Sequence, residues 1–202
     1  YLSNEVKIII MLRNPVERAF SGYQHVKRYN IMEDLSFEDA LQNSESRYSK
    51  IVNMTPASRY LEIGMYYLQV KAFLDSFKHV HIIIYDDYKT NFKLEMKKLF
   101  DFLEVDLIQI NNSKKYMVGG WQWKSSKVKK IMIQPNLVKT IAKYILPFKD
   151  LRKLVKKLIR DRFTNSAEII DPKTEKYLKD YYSKDIDKLG QLLNRNLKNW
   201  TE

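Results

Sequence analysis

The stretch Lys7-Ile8-Ile9-Ile10-Met11-Leu12-Arg13-Asn14-Pro15-Val16-Glu17 decides how the rest of the chain is read. Five consecutive apolar residues, Ile8 to Leu12, suit a strand buried on both faces of a parallel sheet. Asn14 is then a good N-cap, Pro15 fits the first helical position, and Glu17 stands three residues after the cap, as a capping box requires. The pattern predicts a strand over residues 5–12 and a helix from Pro15 to about Tyr29. Arg13 falls at the carboxyl end of the strand, just ahead of the helix's free amides.

Working outward, Ser36 with Asp39 three residues on predicts a short helix to about Gln42. Leu61, Met65, Leu68, Ala72 and Phe73 recur at helical spacing and predict a long helix over residues 59–77. His79 to Tyr85 reads as a second strand. It closes on Asp86-Asp87, whose side chains would point to opposite faces and cannot act as a facing pair of carboxylates. Capping or loop hydrogen bonding is the expected role of that pair. Leu94, Lys98, Leu99, Phe102 and Leu103 predict a helix over residues 91–103. Strand, helix, helix, strand, helix with buried-type strands is an α/β fold: a parallel sheet flanked by helices. A polar loop at residues 110–120 precedes helical patterns at 124–133, 137–146 and 151–163. Asp171-Pro172 opens a last helix lined by Leu178, Tyr181, Tyr182, Ile186, Leu189, Leu192 and Leu193. The reading is a single domain over residues 1–202 with a basic helical insertion at 121–163.

Composition bounds the function. With 45% hydrophobic and 30% charged residues the chain is globular. With no cysteine it has no disulfide scaffold, thiolate metal site or cysteine nucleophile. No apolar run approaches a membrane span and no signal-peptide pattern opens the sequence, so a cytoplasmic chain is expected. The first residue is Tyr1 rather than Met, and an N-terminal part is expected upstream of it. Net charge is +12, and it is uneven: residues 124–162 hold 13 Lys and Arg against two acids, Asp150 and Asp161. Such a block implies an anionic partner, or only a solvated helical surface, and both readings stay open.

The element with chemistry in it is strand, Arg13, capped turn, helix. Ligands of open α/β sheets bind at the carboxyl ends of strands. A helix N-terminus favours an anion, and Ser21, less than two turns on, can offer a hydroxyl to it. Arginine, serine and a helix terminus make a phosphate site. The alternative is a structural ion pair at Arg13 and an exposed helical serine at Ser21.

The run from Lys7 through Arg13, Asn14-Pro15-Val16-Glu17-Arg18 and Ser21-Gly22-Tyr23-Gln24-His25 resembles the 3′-phosphate motif of sulfotransferases that use 3′-phosphoadenosine 5′-phosphosulfate (PAPS). In wording it is similar to heparan sulfate N-sulfotransferases and bacterial carbohydrate-type enzymes. Gly64-Met65-Tyr66 through Phe77, the strand to Asp86-Asp87, and Leu178, Tyr182, Asp185, Leu189 and Trp200 resemble the family's later segments. The resemblance is weak between about residues 118 and 162. It implies a P-loop-like sulfotransferase fold. It also implies that Arg13 and Ser21 hold the 3′-phosphate, that PAPS is the donor, and that adenosine 3′,5′-bisphosphate is the product. The family's N-terminal loop, which binds the 5′-phosphosulfate with a lysine, has no counterpart here. Gly22, Gly64, Gly119, Gly120 and Gly190 build no such loop, nor is there a Walker-type motif. That loop is expected upstream of Tyr1, and the chain by itself is expected to lack turnover.

Sulfuryl transfer needs in-line reactants, balanced charge on the leaving phosphate and a base for the acceptor. No metal is expected. His79 and His81 share a strand face without a third ligand and are expected to be packing or surface residues. His25 lies one helical step beyond Ser21 on the same face. The resemblance places it near the active site, as general base or acceptor contact. Tyr66 is a candidate for the acceptor cleft, the alternative being helix packing with a close contact at Gly64. Lys114, Lys115 and Lys124 flank the polar loop and are read as solvated. The function expected is sulfuryl transfer to a hydroxyl or amine, on a carbohydrate or other small molecule. No specific nucleic-acid partner is expected, and membrane-surface contact is compatible with the basic stretch. The alternative from another class is a noncatalytic module binding nucleic acid or a membrane surface through residues 124–162. A nucleotide kinase relative fits the element order but lacks the P-loop.

Overall fold

The computed structural model describes residues 3–50, 54–108, 119–137, 139–141 and 148–202. Lys114, Lys115, most of the polar loop and most of the helix expected at 137–146 lie outside the described residues. Two compact units are present. One comprises residues 1–19, 61–117 and 171–202, and the other residues 20–60 and 118–170.

The first unit is built on two strands, β1 (Lys7–Leu12) and β2 (His79–Ile84). They pair in parallel, with Lys7 opposite His79 and Leu12 opposite Ile84. The carboxyl ends of both strands are therefore aligned. The expected parallel α/β sheet is present, with one difference: Ile9 and Met11 of β1 are 45% and 50% exposed. An unbroken apolar run does not by itself distinguish a strand covered on both faces from one covered on a single face. The helix α1 (Pro15–Tyr29) follows β1 with the expected bounds. Asn14 caps it, its Oδ1 accepting from the Val16 amide at 3.0 Å.

The second unit contains the rest of α1, then α2 (Phe37–Gln42) and α3 (Ser44–Lys50). Ser36 caps α2 as expected, accepting from the Asp39 amide. α3 carries no apolar stripe that would have announced it. The core of this unit stacks Phe37 against Phe20, Tyr23 and Tyr60. Glu33 is buried there with Tyr60 and Arg47 donating to its two carboxylate oxygens at 2.6 and 2.8 Å. A buried carboxylate is tolerable only when paired and hydrogen-bonded in this way.

Helix α4 (Tyr66–Ser76) returns to the first unit. The long helix read over residues 59–77 is shorter at its start. Residues Glu62–Gly64 form a 3₁₀ turn, and the α-helix begins at Tyr66. Its buried positions are Tyr66 and Val70, while Leu68, Ala72 and Phe73 are exposed. The reason for the late start is tertiary. A Cβ at Gly64 would meet the Tyr182 hydroxyl and ring at 2.6–2.8 Å, so the turn is shaped to admit that phenol. β2 then runs directly into α5 (Tyr85–Thr90), and α6 (Phe92–Leu103) follows.

In the second unit, β3 (Trp121–Trp123) pairs antiparallel with β4 (Thr164–Ser166). Between them lie α7 (Ser126–Ile133) and α8 (Lys149–Phe163), matching the helices expected at either end of the basic stretch. Finally α9 (Pro172–Leu192), capped by Asp171, buries Leu178, Tyr182, Ile186 and Leu189 in the first unit.

Two glycines separate the two uses of the residue. Gly64→Ala is expected to destabilise the protein by about 1–3 kcal/mol, because neither the buried Tyr182 ring nor the turn has room to move. Gly22→Ala, inside α1 with its new methyl 4.0 Å from the nearest atom, is expected to stabilise by about 0.5–1 kcal/mol. Urea denaturation of both variants checks the opposite signs.

Candidate functional site

Arg13 lies between the end of β1 and the capped start of α1. Its side chain is 35% exposed, so an incoming anion can reach it. Its Nε and Nη2 both donate to Glu17 Oε2, at 3.0 and 2.8 Å. The guanidinium also lies over the Tyr85 ring, 5.3 Å from its centre. Tyr85 opens α5 where β2 ends, so residues from both strand ends meet at this arginine. The ion pair weighed as the alternative role of Arg13 is therefore formed. An exposed pair one helical turn apart is weak, about 0.3–0.5 kcal/mol. It orients the arginine without competing seriously with a doubly charged phosphate.

The backbone of Arg13 is fixed from below. The buried Tyr66 hydroxyl donates to the Arg13 carbonyl at 3.0 Å. Burial pushes the Tyr66 phenol up from 10.0 to about 12, with the nearby Arg18 cation opposing the shift. Tyr66 is itself set by Asp185 of α9. The buried Asp185 Oδ2 accepts from the amides of Tyr66 and Tyr67 at 2.7 and 3.0 Å. A carboxylate at the first amides of α4 satisfies donors that the helix cannot, and it complements the positive end of the helix dipole. Tyr66 has two expected roles, acceptor cleft or helix packing, and the structure shows the packed arrangement. Its side chain is enclosed, edge-on to Trp200 at 6.4 Å, and its polar atom is engaged with Arg13.

Asp86 and Asp87 lie in the first turn of α5 rather than at the close of a strand. They do not face each other as a pair. Asp86 accepts from the Trp200 indole at 3.0 Å and Asp87 from Arg195 at 2.6 Å. Their role is to tie the C-terminal segment to the end of β2.

Ser21 and His25 both belong to α1, one and two helical steps beyond Glu17 on a slowly drifting stripe. The rise along the axis is about 6 Å per step. Ser21 is half-buried. His25 is exposed and stacks on Tyr29 at 4.9 Å. It lines a cleft of about 490 Å³ within the second unit, with Tyr29, Asn30, Thr55 and Gln134. His81 stacks on Phe102 and His79 lies 3.5 Å from Glu5, the packing and surface roles expected of them. Among the described residues no three His, Cys, Asp or Glu side chains gather as a metal site.

The basic stretch is not uniformly solvated. Lys129 is buried, with its Nζ donating to the Glu33 carbonyl at 2.7 Å, and burial lowers its pKa. Lys124 donates to the Arg162 carbonyl and ties the two ends of the stretch together. On α8, Lys153, Lys157, Arg160 and Arg162 are exposed.

Sequence reading missed the support beneath Arg13. Asp185 stands among polar neighbours, Lys184 and Asp187, and nothing local marks it as inward-facing. The signal was periodic: it lies on the same helix face as Leu178, Tyr182 and Leu189.

Asp185→Asn is expected to cost about 1.5–3 kcal/mol, the range for hydrogen bonds to a charged group, and Tyr66→Phe about 1 kcal/mol. Tyr66 also sets a pH dependence. Its folded pKa lies above the unfolded one, so its contribution is complete below pH 10 and lost as pH rises toward 12. Stability from denaturant titrations at pH 8 and pH 11 is expected to fall less steeply in Tyr66→Phe than in the parent.

The chain has measurable relatives. Residues 1–185 match the model of the sulfotransferase domain family. Carbohydrate sulfotransferase 15 of Mus musculus is 30% identical over 116 residues, which is 50% of this chain and 20% of that protein. The Rattus norvegicus protein of the same name is 29% identical over the same shares. The match thus spans about a fifth of the length of these curated relatives. A sulfotransferase from Alicyclobacillus acidocaldarius has a similar fold: TM-score 0.62 and 24% identity over 98% of this chain and 58% of that one. With Arg13 at the strand end, the capped α1 behind it and a family match running through both units, the chain belongs to the sulfotransferase domain family.

Proposed function

We propose that this chain carries the 3′-phosphate side of a PAPS-dependent sulfotransferase, transferring a sulfuryl group to a hydroxyl or amine of a carbohydrate or other small acceptor. The observation that carries the reading is Arg13: a solvent-reachable guanidinium at the carboxyl end of β1, its backbone pinned by Tyr66, at the N-terminus of a capped helix. These donors fit a phosphate dianion, which takes charge-assisted bonds from arginine and gains from a helix N-terminus. Arg13 supplies the charge and Ser21 the hydroxyl. When bound, PAPS supplies the sulfuryl group, with adenosine 3′,5′-bisphosphate as the product.

His25 is assigned to the acceptor, taking its proton or contacting it from the cleft shared with Tyr29, Thr55 and Gln134. His25, Tyr29, Asn30, Thr55 and Gln134 give that otherwise aliphatic cleft the polar and aromatic groups that a sugar takes, and the carbohydrate sulfotransferases among the relatives support the same acceptor class. Tyr66 is assigned to Arg13 rather than to the acceptor, since its hydroxyl is already engaged.

The test is calorimetry comparing adenosine 3′,5′-bisphosphate with adenosine 5′-monophosphate. The 3′-phosphate is expected to add affinity in the parent chain, and Arg13→Ala is expected to remove about 1.5–3 kcal/mol of it. Ser21→Ala is expected to remove less. Glu17→Gln frees Arg13 of its pair and is expected to tighten the bisphosphate about two- to threefold. A preference for the bisphosphate that is the same in Arg13→Ala as in the parent overturns the assignment.

A further inference from the structure

α8 (Lys149–Phe163) carries seven Lys and Arg against two Asp in fifteen residues. Its apolar residues do not all turn inward. Val155 and Ile159 are half-buried, while Leu151, Leu154 and Leu158 are 40%, 53% and 60% exposed. At 100° per residue those three leucines fall within an arc of about 60°, a continuous row on the outer side of the helix. Phe148, at the N-cap, is more exposed still. Lys153, Lys157 and Arg160 lie on the side of the helix away from the leucine row and Arg162 lies next to it, all exposed, while Asp150 and Asp161 fall beside the row on its other edge. The two acids are each matched by a neighbouring base, Asp150 by Lys153 at 2.9 Å and Asp161 by Arg160 at 3.7 Å.

We propose that α8 is a docking helix for an anionic lipid bilayer, lying in the membrane surface with Leu151, Leu154 and Leu158 in the acyl boundary and its bases at the headgroups. An amphipathic helix with an apolar row on one face and a strongly basic polar face, its two acids each matched by a neighbouring base, has the composition of such interfacial helices. The charge complementarity selects the occupant. A soluble polyanion would use the bases and leave three leucines exposed to no purpose. A second copy of the chain would bring two strongly positive helices together. Fifteen residues are too few to span the hydrocarbon, and no described helix is long and apolar enough to cross a membrane. The helix therefore lies along the surface, over a length of about 22 Å.

The experiment is cosedimentation of the full chain with vesicles. One set is phosphatidylcholine alone, and the other contains about one third phosphatidylglycerol. Two variants accompany the parent: Leu151→Gln with Leu154→Gln and Leu158→Gln, and Lys153→Glu with Lys157→Glu. All substituted side chains are exposed, and circular dichroism confirms that each variant folds. The parent is expected to bind the anionic vesicles at least about tenfold more strongly than the neutral ones. The leucine variant is expected to lose at least about tenfold of that binding, and the charge variant a comparable factor that shrinks as salt is raised. Absence of anionic-vesicle binding overturns the proposal. So does binding that survives the leucine variant, which would make α8 a site for soluble polyanions. A parent that dimerises without lipid while the leucine variant stays monomeric overturns it in favour of a second copy.

Discussion

The two amides that Asp185 holds at the start of α4 are the constraint on which the first unit depends. A single buried carboxylate on α9 fixes where α4 begins, hence where the Tyr66 ring lies, hence where the Arg13 carbonyl rests. Each link is short and enclosed. Had the helix begun at Arg59, about two turns earlier, as its hydrophobic spacing suggested, the amides of Tyr66 and Tyr67 would be spent on backbone carbonyls. Asp185 would then be a buried charge with no donors, a costly arrangement. The 3₁₀ turn at Glu62–Gly64 is the local expression of this, and Gly64 is required there because Tyr182 of α9 packs against its Cα.

At the top of this support the chemistry is deliberately exposed. Arg13 is partly exposed at its tip and held at its backbone, as the proposed phosphate site requires: the donor is reachable, and its position need not be ordered afresh on binding. Glu17 and the Tyr85 ring hold the guanidinium in an extended pose at little energetic depth. Asp86 and Asp87, by engaging Trp200 and Arg195, turn their negative charge toward the C-terminal segment. The second unit has its own buried charge, Glu33, satisfied by Tyr60 and Arg47, with Lys129 fixing the adjoining backbone.

Much of the architecture was legible in the residues. β1, the Asn14 cap and the start of α1 followed from one apolar run and the Asn-Pro pair after it, while Glu17 pairs with Arg13 rather than closing a capping box. The parallel pairing followed from two buried-type strands separated by helices. What was not legible came from tertiary contacts. The start of α4 was set by a carboxylate more than a hundred residues away, which no local pattern encodes. The exposure of Ile9 and Met11 depends on what packs against the sheet, not on their own apolarity. Lys129 looked like one of many solvated lysines because its partner, the Glu33 carbonyl, is a backbone atom and leaves no mark in the sequence. Between the two roles read for Tyr66, the direction of its hydroxyl toward the Arg13 carbonyl could be seen only once the helix was placed.

In the proposed site, Asp185 acts on nucleotide binding through Tyr66 and Arg13. A double-mutant cycle tests it most directly, with adenosine 3′,5′-bisphosphate affinity measured in the parent, Asp185→Asn, Arg13→Ala and the double variant. Asp185→Asn is expected to weaken binding about fivefold when Arg13 is present and to have no further effect once Arg13 is alanine. An equal loss in both backgrounds would contradict it, because Asp185 would then act on the fold at large and not through Arg13.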